Sequence, residues 1–335
     1  MNLVTSWCQF DPLEEVWVGD CYPEEFYNIY KDPVRSIFCK INEKTKKDFE
    51  QLQQILESLG IKVCRPYFSN DVEDYCDEQG RLFKPPVAPR DNTIVLGETL
   101  YHVRNLFKNN PWQSHLNRYI KNNNKVIEAG FLEKFGYIMP PSIVRLGKDL
   151  LIDRSSHEHS WNLMEKDVIP EWGKIFDIQV FDSDGHADSV FCVIGKGKIL
   201  TSHWKNDYNE FKNWEIQRIK QIFHSNKNLN YVSNSKNWWV DGINGNYPVF
   251  NKHVEQFAYD WVGCANETVF EVNSLLINES LIITTGVPDL ETQQWFKKHK
   301  VDFIAANMST RGFWDSGVHC ATVDIRRCGS CQKIL

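Results

Sequence analysis

One pattern recurs about every fifty residues along this 335-residue chain: an apolar run, a short polar turn and a second apolar run. It appears at Thr93–Val103 around Gly97, at Ser142–Ile152 around Gly147, at Val190–Leu200 around Gly195 and at Val269–Thr284 around Asn278. Apolar runs this short, broken at Gly or Asn, predict β-hairpins. After each hairpin the spacing predicts a helix and then another short strand. The pairs are Ser114–Asn122 with Lys125–Glu128, Ser160–Glu171 with Phe176–Phe181, Asn209–Phe223 with Leu229–Val232, and Leu290–Lys300 with Val301–Ile304. At the N-terminal end Glu15–Gly19, Lys44–Ser58 and Ile61–Cys64 supply a fifth copy. A ββαβ unit of this size cannot bury its own sheet, so several must share a core. Five such units predict an α/β ring with a central channel, and loops from different units would meet in one site. No Pro- or Gly-rich stretch reads as a linker, so residues 1–335 are expected to form a single domain.

Composition narrows the function classes. The net charge of -6 comes without a basic stripe, which argues against nucleic acid as a partner. No apolar run approaches a membrane span, and Met1–Val18 carries no basic segment followed by an apolar one, so a cytoplasmic protein is expected. Ten cysteines in that setting should be mostly reduced thiols. Cys328 and Cys331 form a CxxC with no second ligand pair, so no metal is expected, and no glycine-rich loop suggests a cofactor. His157 and His159 read as a solvated surface pair, and Phe68–Pro86 and Asn226–Asn251 as loops long enough to cover a site.

Candidate chemistry gathers at the strand entrances. Cys320 precedes the alternating apolar run Val323/Ile325 after a Ser-Gly turn, which puts a thiol at the mouth of a buried strand. His186 and Asp188 precede the third hairpin and are expected on one face of an entering strand. Asp91 leads into the first hairpin, and Lys205 follows the third. A lone Asp or His at a strand entrance is usually a turn residue, but several at equivalent strand ends of a repeat point to a site.

These stretches carry a resemblance. Trp7, Asp11–Val16 with Val18-Gly19-Asp20, Ala88-Pro-Arg-Asp91, Arg145-Leu-Gly-Lys-Asp149, Gly185-His-Ala-Asp188 and Gly317–Arg327 together resemble the amidinotransferases related to glycine amidinotransferase, of the pentein or guanidino-group-modifying superfamily. The similarity runs in order over nearly the whole chain, and the cysteine motif is its most specific part. It implies a five-bladed α/β propeller, no cofactor, small-molecule substrates and, by family habit, a homodimer. Matched position by position, it implies that Cys320 is a nucleophile, His186 an acid/base, and Asp188 and Asp91 the carboxylates that hold a donor guanidinium. Lys205 falls where the family tends to place an arginine that contacts the substrate carboxylate. The residue types suit the task. A guanidinium is a planar cationic fork that two carboxylates can fix while a thiolate approaches its carbon. A bound cation and a nearby imidazolium would also favour that thiolate. The implied reaction moves the amidino group of L-arginine to an amine through an amidino-cysteine, releasing ornithine; water in place of the amine would make a deiminase or dihydrolase. One position departs from the family. The stretch Tyr137–Arg145 lacks the acid that orients the catalytic histidine, which leaves Asp182, Asp184 or Ser142 as substitutes, or a protein that binds a guanidino compound with little turnover.

Overall fold

The computed structural model describes residues 2–183, 186–202, 209–219, 271–314 and 316–335. Lys205, Asp184, the strand expected at Leu229–Val232 and the Asn226–Asn251 loop lie outside the described residues.

The described residues form five three-stranded sheets of one design: an antiparallel hairpin whose second strand pairs in parallel with a third. Strands β3 (Thr93–Leu96), β4 (Thr99–Val103) and β5 (Lys125–Ala129) make one. The next two contain β6 (Ile143–Leu146), β7 (Asp149–Asp153) and β8 (Asp177–Phe181), then β9 (Phe191–Gly195), β10 (Lys198–Thr201) and β11 (Glu215–Arg218). The fourth contains β12 (Leu275–Asn278), β13 (Leu281–Thr285) and β14 (Asp302–Ala306). The remaining sheet joins the chain ends. Here β1 (Leu13–Val18) takes β2 (Lys62–Cys64) as its parallel neighbour, and β15 (Thr322–Arg327) from the far end of the chain completes the hairpin.

A parallel third strand requires a crossover. Three of these are regular helices: α1 (Val34–Ser58), α2 (Gln113–Lys121) and α3 (Leu290–Lys298). The helix expected at Ser160–Glu171 forms at Trp161–Trp172 but opens into a π turn at Met164–Val168. Pro170 explains this, since it has no N–H to give and its ring would strike the carbonyl of Lys166 in a regular helix.

Two expectations need correction. Within the described part of the expected helix Asn209–Phe223, residues 209–219, there is a 3-10 turn, Asn209–Phe211, followed by β11 at Glu215–Arg218. Asn213 sits at φ 71, which ends the turn, and β10 offers a free edge that β11 takes in parallel. The first strand of the fourth hairpin begins at Leu275, because residues 271–272 are a turn.

Neighbouring sheets touch in sequence until the ring closes. Strand β15 packs on β3, and the turn Pro89–Asp91 meets the turn Pro140–Ser142. The turn Ala187–Val190 meets β6, α3 meets β11, and β12 returns to β1. Apolar side chains fill the layer between sheets and helices; Trp17 stacks on Trp112 with ring centroids 4.3 Å apart. The Phe68–Pro86 stretch contributes Tyr75 and Leu82 to this core, with Phe68 packed against it.

Beneath the site lies a buried ion cluster on Asp324 of β15. Arg90 Nη2 donates to its Oδ1 at 2.8 Å, and Arg327 Nε donates to its Oδ2 at 2.6 Å. Arg145 Nη2 and Ser6 Oγ reach the same Oδ2. Burial opposes the charge on Asp324, but the three guanidinium groups hold its carboxyl well below the usual range. Spare arginine N–H groups bond backbone carbonyls of Val95, Asp11 and Leu276, so charged groups from several sheets are tied to one point.

Candidate active site

Each sheet's hairpin is entered through a tight turn, and these five turns face one another. Asp91 ends the 3-10 turn before β3, and Ser142 ends the one before β6. Asp188 lies in the single helical turn Ala187–Val190 before β9. Asn273 follows the turn at 271–272 before β12, and Cys320 sits in the turn at 318–321 before β15. His186 and Asp188 are therefore not on a strand, as expected above. His186 caps the helical turn with φ -64 and ψ 129, and its carbonyl accepts from Ser189 N at 2.8 Å. With Asp184 and Gly185 outside the described residues, the run into that turn is seen only from His186 onward.

Cys320 is 4% exposed. Its Sγ accepts from Asn273 Nδ2 at 3.0 Å and donates to Asp188 Oδ2 at 3.4 Å. Its backbone N donates to Asn273 Oδ1 at 3.0 Å. Burial pushes the thiol well above its ordinary value, the charges of Asp188 and Asp91 push it further, and the Asn273 amide works the other way. Cys320 is therefore a protonated thiol at neutral pH.

Asp188 is shared unequally. His319 Nδ1 donates to Oδ2 at 2.9 Å, while Oδ1 is buried with no partner among the described residues. Burial works against the carboxylate, yet the His319 hydrogen bond and the neighbouring His186 and Arg90 hold it below the usual range. Burial and the Arg90 guanidinium push His319 down, so its ring is a neutral donor. An ionised carboxylate oxygen left without a donor in a buried place is costly, and it marks where a cationic N–H group would be welcome.

Asp91 is more open. Its side chain is 39% exposed, and Lys84 Nζ stands 3.8 Å from its Oδ2. It lines a cavity of about 200 Å³ with His102, Asn105 and Phe107. The structure thus brings Cys320, Asp188 and Asp91 into one electrostatic neighbourhood with His186 beside them, while Lys205 lies outside the described residues.

Of the three substitutes for the missing acid, Asp184 lies outside the described residues. Asp182 is turned outward and paired through both oxygens with Arg154. Ser142 Oγ is buried with no partner among the described residues. Among the described residues no hydrogen bond reaches the His186 ring. The expected surface pair at His157 and His159 is also wrong in half. His157 is 1% exposed, donates from Nδ1 to the Asp153 carbonyl at 2.6 Å and accepts Met139 N on Nε2 at 3.0 Å; His159 is exposed. Local spacing could not place His157, because its partners come from β7 and from the turn before β6.

Sequence reading missed Asn273 and His319. Asn273 had a signal: it stands just before the fourth hairpin, where the first, third and fifth units carry Asp91, Asp188 and Cys320. Among the described residues no group of three or more His, Cys, Asp or Glu is set to hold a metal ion, Cys328 and Cys331 are exposed and free, and no helix is long and apolar enough to cross a membrane.

No protein-family model matches the chain, and no curated protein matches it. Solved structures do. SxtG, an amidinotransferase of the saxitoxin biosynthetic pathway from Microseira wollei, overlays with a TM-score of 0.66 at 18% identity, covering 99% of each chain. The inosamine-phosphate amidinotransferase StrB1 from Streptomyces griseus overlays at 0.68 and 16%, covering 100% of this chain and 99% of its own. A dimethylarginine dimethylaminohydrolase from Pseudomonas aeruginosa, in complex with citrulline, overlays at 0.51 and 12%, covering 93% of this chain and 99% of its own. The five three-stranded units closed into a ring are therefore the pentein fold, the α/β propeller that this chain shares with those amidinotransferases.

Proposed function

We propose that the protein is an amidinotransferase that takes the amidino group of L-arginine onto Cys320 and passes it to an amine. The observation that carries this reading is the Asp188 carboxylate. One of its oxygens contacts the Cys320 sulfur, and the other is buried with no partner among the described residues, so a bound guanidinium would be held against the nucleophile. Asp91 supplies a second carboxylate for the same cation. With arginine bound, Cys320 gives its thiol proton to His186 and its Sγ attacks the guanidinium carbon; the C–N bond to the δ-nitrogen breaks, and His186 passes that proton to the nitrogen as ornithine leaves. The amidino group is then a thioether on Cys320. His186 takes a proton from the incoming amine, whose nitrogen bonds the amidino carbon as the C–S bond breaks. Lys205 is assigned to the carboxylate of arginine.

Transfer is preferred to hydrolysis because the cysteine and N-terminal segments resemble the amidinotransferase branch. One observation favours a second reading, a guanidino-binding protein with slow turnover: the His186 ring has no anchor among the described residues. The test is L-arginine labelled at the guanidino carbon, incubated with a mixture of amines beside a Cys320→Ala control and followed by mass spectrometry. Label on an amine, absent with Cys320→Ala, supports transfer and names the acceptor. Label in citrulline or urea overturns transfer in favour of hydrolysis, and label that stays in arginine while arginine raises the melting temperature supports the binding reading.

A further inference from the structure

Two side chains of the site, Asn273 and His319, have no part in the reaction above, yet they make its closest contacts. We propose that Asn273 and His319 are positioning residues that lock the Cys320 sulfur and the Asp188 carboxylate against each other and leave one Asp188 oxygen, Oδ1, to meet the ligand. This rests on the reading of Cys320 as nucleophile and Asp188 as guanidinium-binding carboxylate.

The orientation of the Asn273 amide is fixed by its partners. Nδ2 donates to the Asp188 carbonyl at 3.2 Å, and Oδ1 accepts from Cys320 N at 3.0 Å. A carbonyl requires a donor and an N–H requires an acceptor, so the amide cannot be reversed, and Nδ2 is the group that faces Sγ at 3.0 Å. The backbone of Asn273 is held as well, since Thr285 Oγ1 donates to its carbonyl at 2.9 Å while accepting Val318 N at 2.9 Å. Gly317 makes room for this: a Cβ there would stand 2.6 Å from Asn273 Oδ1. The cysteine turn, the β12 turn and the Asp188 turn are thus joined through one side chain.

His319 joins the same turns from the other side. Its carbonyl accepts Arg90 Nε at 2.8 Å, and Arg90 is held in turn by Asp324, so the ring that donates to Asp188 Oδ2 is anchored to the buried ion cluster. Asp188 Oδ2 is therefore occupied by His319 and the thiol, while Oδ1 has no partner among the described residues. A guanidinium is met by Asp188 through one oxygen, end-on, and not by the two-oxygen fork that a free carboxylate offers. The charged or titratable groups around the sulfur are Asp188, Asp91, His319, His186 and Arg90.

The test needs no substrate in its first arm. The pH dependence of Cys320 alkylation by iodoacetamide is followed on its own peptide by mass spectrometry, in the wild type and in Asn273→Asp, which keeps the acceptor for Cys320 N but removes the donor to sulfur. The midpoint is expected to rise by about one pH unit or more. Asn273→Ala, which adds no charge, is expected to raise it by less and serves if the aspartate variant does not fold. An unmoved midpoint in a folded variant overturns the role of Asn273, whatever reaction the enzyme performs. The second arm measures arginine binding in a Cys320→Ala background. His319→Ala is expected to weaken it roughly tenfold, and His319→Asn, whose amide can stand in for the Nδ1 donor, to restore it. Equal affinity in all three proteins overturns the role of His319. Absence of arginine binding to the Cys320→Ala protein itself counts against the reading of the site on which this arm rests, and leaves the alkylation arm standing.

Discussion

Acidification from pH 7 to pH 5 is expected to cost the fold about 2 kcal/mol at a single buried histidine, His102, and a variant that cannot titrate there should escape the cost. The residue lies on β4 and is 5% exposed. Asn110 Oδ1 accepts Trp112 N at 3.0 Å, which turns the Asn110 amide toward His102 Nε2 at 3.0 Å. That ring nitrogen must be the acceptor, so the proton is on Nδ1, where Thr93 Oγ1 lies at 2.8 Å. A second proton would set two N–H groups against each other and bury a charge. Burial accordingly pushes the pKa from the ordinary 6.5 to about 4. A folded pKa below the unfolded one means that the stability is whole above pH 6.5 and is lost as the pH falls toward 4. At about 1.4 kcal/mol per pH unit, the loss is about 2 kcal/mol at pH 5 and roughly 3 kcal/mol near pH 4. Urea unfolding of the wild type and His102→Gln at pH 7 and pH 5 measures it. The variant should start less stable, and the wild type should lose about 2 kcal/mol more than the variant between the two pH values. A stability gap that is the same at both would refute the assigned tautomer and the burial argument together.

Asp324→Asn leaves three buried guanidinium groups around a neutral amide and should lower stability by about 3–5 kcal/mol, read as a fall in the urea midpoint at pH 7. An unmoved midpoint would mean that the cluster is not buried in solution. Gly147→Ala places a Cβ 1.9 Å from the Gln332 carbonyl at a φ of +67, so it should cost about 1 kcal/mol or more. It should also speed hydrogen exchange at the Ile334 and Leu335 amides, which are now held by Asp149 Oδ2; wild-type protection there would show that the tail is not seated on this turn. In the ligand-free protein at pH 7.5, iodoacetamide should modify the exposed Cys328 and Cys331 long before Cys320. Equal rates at Cys320 would show a thiolate that the site's charges do not permit.

The hairpins at Thr93–Val103 and Asp149–Asp153 with β6 were legible because everything that makes them is local. Alternating apolar residues pair across two-residue turns, and Gly97 and Gly147 take φ values of 60 and 67 that few other residues accept. Asn209–Phe223 misled for the complementary reason. Its spacing of apolar residues suits a helix, but the free edge of β10 captures Glu215–Arg218 as a strand, and an edge is not visible in a local window. His157 was misplaced for the same cause: its exposure is decided by residues that fold over it.

The sequence by itself determined the number of units, the ββαβ order of all but the third, and the thiol and carboxylates at the strand entrances, since these follow from turn chemistry and periodicity within a single unit. Only the tertiary structure decided how the ring closes, with β15 from the end of the chain pairing to β1 at its start. It alone decided that three arginines share Asp324, and that Asn273 and His319 close on Cys320 and Asp188. Those contacts join turns from different units, and the energy that fixes them comes from burying charged and polar groups together, which no run of adjacent residues can express.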